Sequence, residues 1–323
     1  MNIGIMGVGG IAICMGETLR KMSGVTSYAV ASRTLEKAEK FAAEYGFTKA
    51  YGSYEELVQD PSVELVYIAT PHSHHFENAK LCIEHGKPVL CEKAFMANAA
   101  QAKEIVALAK EKNVFLAEAI WPRYMPSRKM IDDIISSGRI GEVKALSANL
   151  GYDIDEIPRI TDPNLAGGAL LDVGIYPLTF ASMVLGDDIV NITSICTKTD
   201  TGVDEQDAII LEYPGKVLAH LHCSMLVGTE QCGNIYGTKG YIVAKNMNNV
   251  DVIEVYSPDR ELEETIKVPE QITGYEYEVE AAVKAISEGK IECEEAPLAQ
   301  SVHMMEVMDS LRAEWGIVYP FEK

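Results

Sequence analysis

A glycine-rich run near the start of the chain has the composition of a phosphate-binding loop. Residues 7–12 read GVGGIA and directly follow a short apolar segment. The run fits the fingerprint G-x-G-x-x-G/A, in which Gly7 makes the tight turn, Gly9 lets the backbone approach a pyrophosphate, and Ala12 keeps a helix close to its strand. The pattern alone also suits an ordinary turn, but its place after a first strand favours a dinucleotide at the helix N-terminus. The predicted cofactor-binding residues of this run are Gly7, Gly9, Gly10, Ile11 and Ala12.

The end of the second apolar segment favours one dinucleotide over the other. An NAD site usually has a carboxylate about 20 residues after the glycines, where it accepts hydrogen bonds from the ribose hydroxyls. Here the segment ends in Ser32-Arg33-Thr34, and the next acid, Glu36, belongs to the following helix. Arg33 can bind a 2′-phosphate through charge and stacking, while Ser32 or Thr34 donates a hydrogen bond. We therefore predict NADP(H) rather than NAD(H), with an exposed loop arginine as the simpler interpretation of Arg33.

A histidine-rich segment follows the apolar run Val63–Ala69. Residues 70–75 read TPHSHH, at the carboxyl end of that run, which is where open parallel sheets bind their ligands. Neither this segment nor the pair His220 and His222 has ordinary zinc spacing with a third protein ligand nearby, so no metal is predicted. The predicted cofactor contacts in this segment are Thr70, Pro71 and His72.

The elements that must position these residues alternate along the first 120 residues. Short, continuous apolar runs are separated by helical patterns, and such strands indicate a parallel sheet covered on both faces. We predict a doubly wound α/β domain of the Rossmann type, binding the dinucleotide, over residues 1–121. Its predicted strands are Ile3–Met6, Tyr28–Ala31, Val63–Ala69, Val89–Cys91 and Val114–Ala117, separated by helices that include Leu35–Tyr45, Phe76–His85 and Ala99–Lys112.

The pattern changes after Pro122. Later strands alternate with period two, as in residues 216–227, and turn signals separate them. We predict a second α/β domain over residues 122–323, with an open, largely antiparallel sheet and a role in substrate binding and oligomerisation. Its predicted helices are residues 127–137, 275–288 and 297–315.

Charge and composition exclude several classes of partner. The chain has 323 residues, of which 47% are hydrophobic and 24% charged, an ordinary balance for globular domains. Its 28 basic and 48 acidic side chains give a net charge of −20, which argues against nucleic acid and anionic membranes as partners. The first 120 residues hold 12 basic and 14 acidic side chains, so they suit an anionic ligand better than the remainder does.

Targeting signals and cysteine usage indicate a cytoplasmic protein. We see no apolar run of membrane-spanning length and no basic leader segment. The seven cysteines are scattered and include no Cys-x-x-Cys pair. This usage is typical of a reducing compartment, with cysteines acting as small core residues.

Several longer motifs occur together along the chain. They are CEKA at residues 91–94, EAIWPR at 118–123, GGALLDVGIYP at 167–177 and EWGIVYPFE at 314–322, beside the glycine run and Thr70-Pro71. Through these motifs the chain resembles the Gfo/Idh/MocA oxidoreductases, and within them the dimeric dihydrodiol dehydrogenase branch, also described as NADP-dependent D-xylose dehydrogenase. The similarity extends over nearly the whole chain and is far more specific for the family than for a substrate.

The resemblance implies a nicotinamide cofactor, a C-terminal domain that shapes the substrate pocket, and a homodimer or homotetramer built through the open sheet. It also places a lysine beside the nicotinamide, and this lysine is Lys93. Ala94 stands where the family usually has proline. Tyr176 stands where the commoner motif D-x-G-x-H ends in histidine, and this substitution points to the dihydrodiol branch. Further predicted cofactor contacts in these motifs are His75, Glu92 and Lys93.

The residues in these motifs suit hydride transfer at a carbinol carbon, which must be matched by proton transfer at its oxygen. Tyr176 can serve as acid/base if a cation lowers its pKa from about 10, and Lys93 is the obvious cation. Asp172 lies four residues before Tyr176, on the same face if the stretch is helical, and could orient Lys93 or bind a substrate hydroxyl. The predicted catalytic residues are Lys93, Tyr176 and Asp172. A solvated Lys93, a packing tyrosine, or direct proton donation by Lys93 are the alternatives.

Trp121 and Arg123 follow the last predicted strand of the first domain. In one interpretation the tryptophan packs in the interior and the arginine forms a salt bridge. In the other, Trp121 lies beside the nicotinamide or an apolar substrate face, and Arg123 binds oxygens of the cofactor or substrate. Both residues are predicted cofactor contacts in the second interpretation.

The predicted function is NADP-dependent hydride transfer between nicotinamide and a secondary hydroxyl or carbonyl of a small sugar or vicinal diol. A fold does not determine function by itself, and two alternatives remain. One is a cofactor-binding redox sensor or regulator without turnover, and the other is an NAD-dependent, redox-assisted glycosidase. The presence of Lys93, Asp172 and Tyr176 favours the dehydrogenase, because a sensor has no need of them.

Overall fold

The computed structural model describes residues 1–322, which form two compact units. The first unit consists of Met1–Ile120 together with Gln271–Met305. The second consists of Trp121–Glu270 together with the residues from Glu306 onward. The predicted division follows chain order, whereas in the structure a late segment of the chain returns to the first unit.

Hydrogen bonds hold the returning segment within the first unit. The hydroxyl oxygens of Thr18 and Thr273 lie 2.6 Å apart. The backbone N–H of Leu116 donates to the carbonyl oxygen of Ile291 at 3.0 Å. A division at one point in the sequence misses this return, because packing rather than chain order defines a compact unit.

A six-stranded sheet lies at the centre of the first unit, and all its neighbouring strands are parallel. The strands are β1 (Asn2–Met6), β2 (Thr26–Ala31), β3 (Lys49–Tyr51), β4 (Leu65–Ile68), β5 (Val89–Glu92) and β6 (Leu116–Ala119). The helices between them are α1 (Gly10–Lys21), α2 (Leu35–Tyr45), α3 (Tyr54–Gln59), α4 (His75–Glu84) and α5 (Ala99–Lys112). The order β3-β2-β1-β4-β5-β6 is that of a doubly wound dinucleotide-binding fold, so the predicted Rossmann-type domain is confirmed.

Burial explains which of these strands the sequence reveals. Every residue of β4, β5 and β6 is buried, and a strand covered on both faces reads as a continuous apolar run. The short strand β3 has the sequence Lys-Ala-Tyr and a partly exposed pattern. It has no such run and is missing from the sequence prediction.

The second unit contains an eight-stranded sheet. Its strands are β7 (Val143–Gly151), β8 (Asn191–Lys198), β9 (Asp204–Tyr213), β10 (Val217–Ser224), β11 (Gly233–Gly237), β12 (Gly240–Lys245), β13 (Val252–Tyr256) and β14 (Leu262–Lys267). Its helices are α6 (Pro126–Ser136), α7 (Pro158–Thr161) and α8 (Ile175–Leu185), with a π-helical turn, Leu170–Gly174, directly before α8. The order is β14-β13-β12-β11-β7-β10-β9-β8, and the pair β7–β10 is parallel while the other pairs are antiparallel. The predicted open, largely antiparallel sheet is confirmed.

The two faces of this second sheet differ in burial. On one face, Ala219, Leu221 and Cys223 are buried, as the period-two pattern predicts. Phe180 of α8 packs closely there, since a Cβ on Gly233 would lie 2.5 Å from its ring. The opposite face exposes a series of large apolar side chains, which are Ile195, Ile210, Leu218, Tyr236 and Leu262.

Pro163–Leu185, which includes the π turn and α8, is long and apolar enough to cross a membrane by length and composition. In the structure, 83% of its most apolar window is buried inside the protein. Burial of this kind is also what the core helix of a globular unit shows, and α8 has that position in the second unit.

Two helices close the described chain. They are α9 (Glu276–Ser287) and α10 (Leu298–Trp315), within one residue of the predicted ends. The division between the two units falls within α10.

Candidate active site

The glycine run forms a backbone cradle between β1 and α1. Gly7 has a φ of +103°, and a Cβ on it would lie 2.7 Å from the carbonyl oxygen of Ala69. Only glycine fits this turn without strain. Gly9 and Gly10 are exposed, and a Cβ on either would meet no atom within 4 Å. The cradle is therefore tight beneath the loop and open above it.

Helix α1 directs its N-terminus into this open space. The helix begins at Gly10, no side chain within residues 1–322 caps it, and its first turn contains no acid. Ala12 is completely buried, as close packing of the helix on the sheet requires, and Ile11 is half-buried. An uncapped, positively polarised helix end beside open backbone fits the pyrophosphate of a dinucleotide.

The end of β2 carries a positive charge at the surface. Ser32 is buried, and its hydroxyl accepts a hydrogen bond from the backbone N–H of Thr34 at 3.3 Å. Arg33 is exposed. Burial lowers the pKa of His74, and the charge of Arg33 lowers it further, which indicates that the two side chains lie near each other. This edge of the sheet therefore suits an added phosphate better than a pair of ribose hydroxyls.

His75 connects two loops at the carboxyl edge of the first sheet. It is completely buried. Its Nε2 lies 2.8 Å from the carbonyl oxygen of Thr70, and its Nδ1 lies 3.0 Å from that of Ala94. Burial lowers its pKa to about 4. The structure thus gives His75 the role of holding the loops after β4 and β5 together, and a direct cofactor contact stays a prediction.

The rest of the segment after β4 lies close to the same loops. Thr70 and Pro71 are half-buried, and Asn78 donates a hydrogen bond to the Thr70 hydroxyl at 3.0 Å. His72 is buried in a short 3₁₀ turn, with its ring edge-on to that of His75 at 5.6 Å between centroids. These residues stand where β4 meets its loop, as the sequence predicts.

The loop after β5 carries Lys93, which is half-buried. The backbone N–H of Lys93 donates to Oε2 of Glu92 at 3.1 Å, and the phenol of Tyr67 donates to Oε1 of the same carboxylate. The peptide bond between Lys93 and Ala94 is cis. Glu92 is buried, so within the first unit it anchors the loop from beneath.

A group of buried acids lies behind this loop, and no motif in the sequence indicates it. Glu278 of α9 is completely buried, and neither of its carboxyl oxygens has a hydrogen-bond partner among residues 1–322. Burial raises the pKa of Glu278 well above its usual value, and the charges of Glu92 and Glu118 raise it further. Two of these acids come from strands and one from the returning helix, so no local pattern in the sequence links them.

In the second unit, Asp172 lies in the π turn and Tyr176 in the first turn of α8, and both are buried. The stretch is helical, as expected for two side chains four residues apart on one face. Oδ1 of Asp172 accepts a hydrogen bond from Nη1 of Arg159 at 3.0 Å. Arg159 is exposed and was missed in the sequence because the four-residue helix α7 that carries it has no recognisable motif.

Tyr152, just after β7, is a further polar group near Asp172. Burial raises the pKa of Tyr152, and the negative charge of Asp172 adds to this effect. The amide of Asn248 donates a hydrogen bond to the Tyr152 hydroxyl at 3.1 Å. The second unit therefore groups an acid, a guanidinium and a phenol, and the sequence predicted only the acid among them.

Trp121 and Arg123 form a short 3₁₀ turn at the start of the second unit, and both are buried. Nη2 of Arg123 donates to the Ser182 hydroxyl at 2.9 Å. Ser182 in turn donates to the carboxylate of Asp187 at 2.5 Å. Arg123 is thus attached to α8, and its predicted cofactor contact remains a prediction.

The predicted site residues fall into two groups. In the first unit, the loops after β1, β4 and β5, which are neighbours in the sheet, bring the glycine run, the Thr70 segment and Lys93 to one edge. In the second unit, Asp172 and Tyr176 lie on one continuous helical segment. The first group can hold a dinucleotide, and the second offers groups for proton transfer and hydroxyl binding.

A doubly wound sheet with a glycine cradle, followed by a unit with an open sheet, defines a class of dinucleotide-binding enzyme. Family models match both parts of the chain. "Oxidoreductase family, NAD-binding Rossmann fold" matches residues 1–119, and "GFO/IDH/MocA C-terminal domain" matches residues 129–243.

Known proteins resemble the chain over most of its length. The trans-1,2-dihydrobenzene-1,2-diol dehydrogenase of Mus musculus is 36% identical over 306 residues, covering 91% of this chain and 90% of that protein. The enzyme of the same name from Xenopus tropicalis is 37% identical over 299 residues, covering 90% of each.

Solved structures share the fold. A 3-ketoreductase from Actinomadura kijaniata in complex with NADP and TDP-benzene has a TM-score of 0.88 at 23% identity, covering 97% of both chains. Levoglucosan dehydrogenase in complex with NADH has a TM-score of 0.86 at 18% identity, covering 98% of this chain and 97% of that one.

The chain belongs to the Gfo/Idh/MocA family of oxidoreductases. The predicted family, the α/β fold class and a nicotinamide-dependent dehydrogenase activity are confirmed. A nicotinamide dinucleotide as cofactor is likewise confirmed for the family.

Proposed function

We propose that this protein is an NADP(H)-dependent oxidoreductase that transfers hydride between nicotinamide and a secondary hydroxyl or carbonyl of a sugar or vicinal diol. The observation that carries the proposal is the uncapped glycine cradle of α1, with Arg33 in place of a carboxylate at the end of β2. The diol dehydrogenases, at 36% identity over most of the chain, support the substrate class.

The choice of NADP(H) depends on residues of this chain. Of the two solved structures named above, one holds NADP and the other NADH. Fold similarity therefore does not discriminate between the cofactors. The exposed guanidinium of Arg33 supports NADP(H), because it can pair with the 2′-phosphate that NAD(H) lacks.

We assign the chemistry to three side chains. A nicotinamide dinucleotide held by the glycine cradle would supply the hydride acceptor or donor. Tyr176 removes the proton from the substrate hydroxyl, or returns it in the reverse reaction. The ammonium of Lys93 stabilises the negative charge that develops on the substrate oxygen. Asp172, paired with Arg159, orients a substrate hydroxyl or Lys93.

The remaining proposed contacts belong to the cofactor. The first unit would bind it and the second would bind the substrate, with Trp121 and Arg123 beside the nicotinamide and His75 and Glu92 holding the loops in place. The complete proposed set is Gly7, Gly9, Gly10, Ile11, Ala12, Ser32, Arg33, Thr70, Pro71, His72, His75, Glu92, Lys93, Trp121 and Arg123.

We also propose that the protein is a cytoplasmic homodimer or homotetramer. The large apolar side chains exposed on the open sheet face support association through that face, because exposed apolar surface often marks an interface. They are Ile195, Ile210, Leu218, Tyr236 and Leu262. Seven free cysteines are consistent with a reducing compartment.

The test is the formation of reduced nicotinamide, followed by its absorbance. NADP⁺ and NAD⁺ are offered separately with pyranoses, polyols and trans-dihydrodiols. We expect turnover with NADP⁺ on at least one sugar or diol. Tight NADPH binding without turnover on any of them would overturn the proposal in favour of a sensor. Net hydrolysis of a glycoside without net cofactor reduction would do so in favour of a glycosidase.

A further inference from the structure

A buried acid lies directly behind the backbone that leads to Asp172. Gly168 has a φ of +122°, and a Cβ on it would lie 2.3 Å from Oδ1 of Asp204. Oδ2 of Asp204 accepts a hydrogen bond from the backbone N–H of Leu170 at 2.5 Å. Asp204 is the first residue of β9 and is completely buried. A carboxylate from a distant strand therefore takes the place of the N-cap side chain that the π turn lacks.

The same stretch of backbone carries the proposed active-site groups of the second unit. The backbone N–H of Asp172 donates to the carbonyl oxygen of Gly168 at 3.4 Å. Tyr176 follows one turn later, without a break in the helical segment. The position at which this segment begins therefore determines where Asp172 and Tyr176 lie.

A second acid lies beneath the other end of the π turn. Asp207, also in β9, is buried, and its Oδ2 accepts a hydrogen bond from the thiol of Cys223 at 3.0 Å. The same sulfur would lie 3.0 Å from a Cβ on Gly174, the last residue of the turn. Asp204 and Asp207 each leave Oδ1 buried without a hydrogen-bond partner in the described part of the chain.

The two acids cannot both be charged at low cost, because they interact in a buried environment. Burial raises the pKa of Asp207 well above its usual value, and the charge of Asp204 raises it further. Burial also raises the pKa of Asp204, to about 6, while the N–H of Leu170 and the charge of Arg312 favour its ionised form. Asp204, which accepts the Leu170 amide, is therefore the member of the pair that ionises more readily, and Asp207 is the member that keeps its proton more readily.

The groups that face the pair from other elements do not change their protonation state near neutral pH. Arg312 of α10 is a cation that pairs with Glu322 at 3.0 Å and with Asp309 at 2.8 Å. Burial raises the pKa of the Tyr319 phenol and of the nearby thiols, which keeps them neutral. Tyr319 also donates to the carbonyl oxygen of Gly167 at 2.8 Å, so the loop is held from both sides. These thiols belong to Cys196 in β8 and Cys223 in β10.

We propose that Asp204 is a positioning residue for the reaction. Its negative charge, which is maintained because Asp207 holds the proton, fixes the π turn and with it Asp172 and Tyr176. The inference rests on the function proposed above for these two side chains. Activity then requires Asp204 to be ionised and Asp207 to be protonated.

Two nearly isosteric variants test this assignment. Asp204→Asn keeps an acceptor oxygen but removes the charge, whereas Asp207→Asn imitates the protonated acid. We expect Asp204→Asn to lower kcat about tenfold with KM for NADP⁺ within about twofold of wild type. The acidic limb of the kcat profile near pH 6 should be lost in this variant. Asp207→Asn should keep kcat within about twofold of wild type.

The kinetic outcomes discriminate positioning from a merely structural role. Equal losses of kcat in the two variants would overturn the proposal, since loss of packing would affect both. The proposal would also be overturned if kcat of Asp204→Asn still fell at acid pH as it does in wild type. Another group would then be responsible for that fall.

Amide hydrogen exchange separates this inference from the proposed function. In Asp204→Ala, the peptide covering residues 168–176 should exchange about tenfold faster than in wild type, while the peptide covering α1 should be unchanged. Unchanged exchange in residues 168–176 overturns the positioning role whatever the activity. If exchange responds but wild type turns over no sugar or diol, the proposed function fails and the support of the π turn by Asp204 stands. Should the alanine variant not fold, Asp204→Asn gives the same comparison of peptides.

Discussion

The loop that carries Lys93 and the helical segment that carries Tyr176 are supported in different ways. Each has buried acids behind it. The Lys93 loop is anchored by its own sequence neighbour, because Glu92 accepts the backbone N–H of Lys93. The Tyr176 segment is anchored by Asp204, a strand residue 34 positions away from the Leu170 amide that it accepts. Local support can be recognised in a motif, whereas support from another strand cannot.

The largest expected effect is the loss of the phenol at Tyr176. Tyr176→Phe should lower kcat about a thousandfold and leave the affinity for NADPH unchanged, because general acid–base catalysis typically contributes 10²- to 10⁴-fold. Steady-state kinetics and NADPH titration measure the two effects. Tyr45→Phe, which removes a phenol that hydrogen-bonds Glu44 on α2, is the matched control. Turnover near that of wild type in Tyr176→Phe would assign the proton transfer to Lys93 or another group.

The next effect concerns the cofactor and is confined to the first unit. Arg33→Ser should raise KM for NADP⁺ by about 10- to 100-fold, because a hydrogen bond to a charged group contributes about 1.5–3 kcal/mol. KM for NAD⁺ should not change. Arg20→Ser removes an exposed arginine at the other end of α1 and serves as the control. A parallel rise of KM for both cofactors would contradict the 2′-phosphate assignment.

The glycine cradle allows strain and ligand binding to be measured separately. Gly7→Ala should lower the free energy of unfolding by about 2 kcal/mol, because its φ is +103° and its Cβ would contact the Ala69 carbonyl oxygen. Gly9→Ala should leave stability within about 0.5 kcal/mol and weaken dinucleotide binding, since its Cβ would extend into the open space. Urea unfolding and NADPH titration distinguish them. Equal losses of stability would show that the space above Gly9 is not free.

The smallest effect concerns the pH dependence of stability in the first unit. The pKa of Glu278 is raised in the folded protein. At a pH above the usual pKa of a glutamate, the folded state therefore binds more protons than the unfolded state. Stability should therefore fall as the pH rises through the neutral range. Glu278→Gln cannot ionise, and its unfolding free energy should vary less between about pH 5 and pH 8 than that of wild type. Urea unfolding at both pH values is the measurement.

The control for this last prediction is Glu280→Gln, which removes an exposed acid from the same helix. It should follow the wild-type dependence on pH. If Glu278→Gln also followed the wild type, the pKa of Glu278 would not be raised in the folded protein. The acids behind the Lys93 loop would then differ from the pair behind the Tyr176 segment in their response to pH.

The sequence predicted the parts of the site that lie in short, continuous motifs. The glycine run, the end of β2 and the segment after β4 stand where they were expected, because each directly follows a parallel strand whose apolar run is easy to recognise. Arg159, Tyr152 and Asn248 were not predicted. They come from the short helix α7, the residue after β7 and a turn, which share no spacing, so only packing brings them near Asp172.

The sequence by itself determined the class of the protein and the location of its functional loops, because a turn such as that at Gly7 is specified within a few residues. The tertiary structure decided which buried acid supports which loop. Asp204 and Glu278 approach their partners from a different strand and from a returning helix. Such approaches depend on which elements pack together, and the periodicity of one element shows its buried face but not its partner.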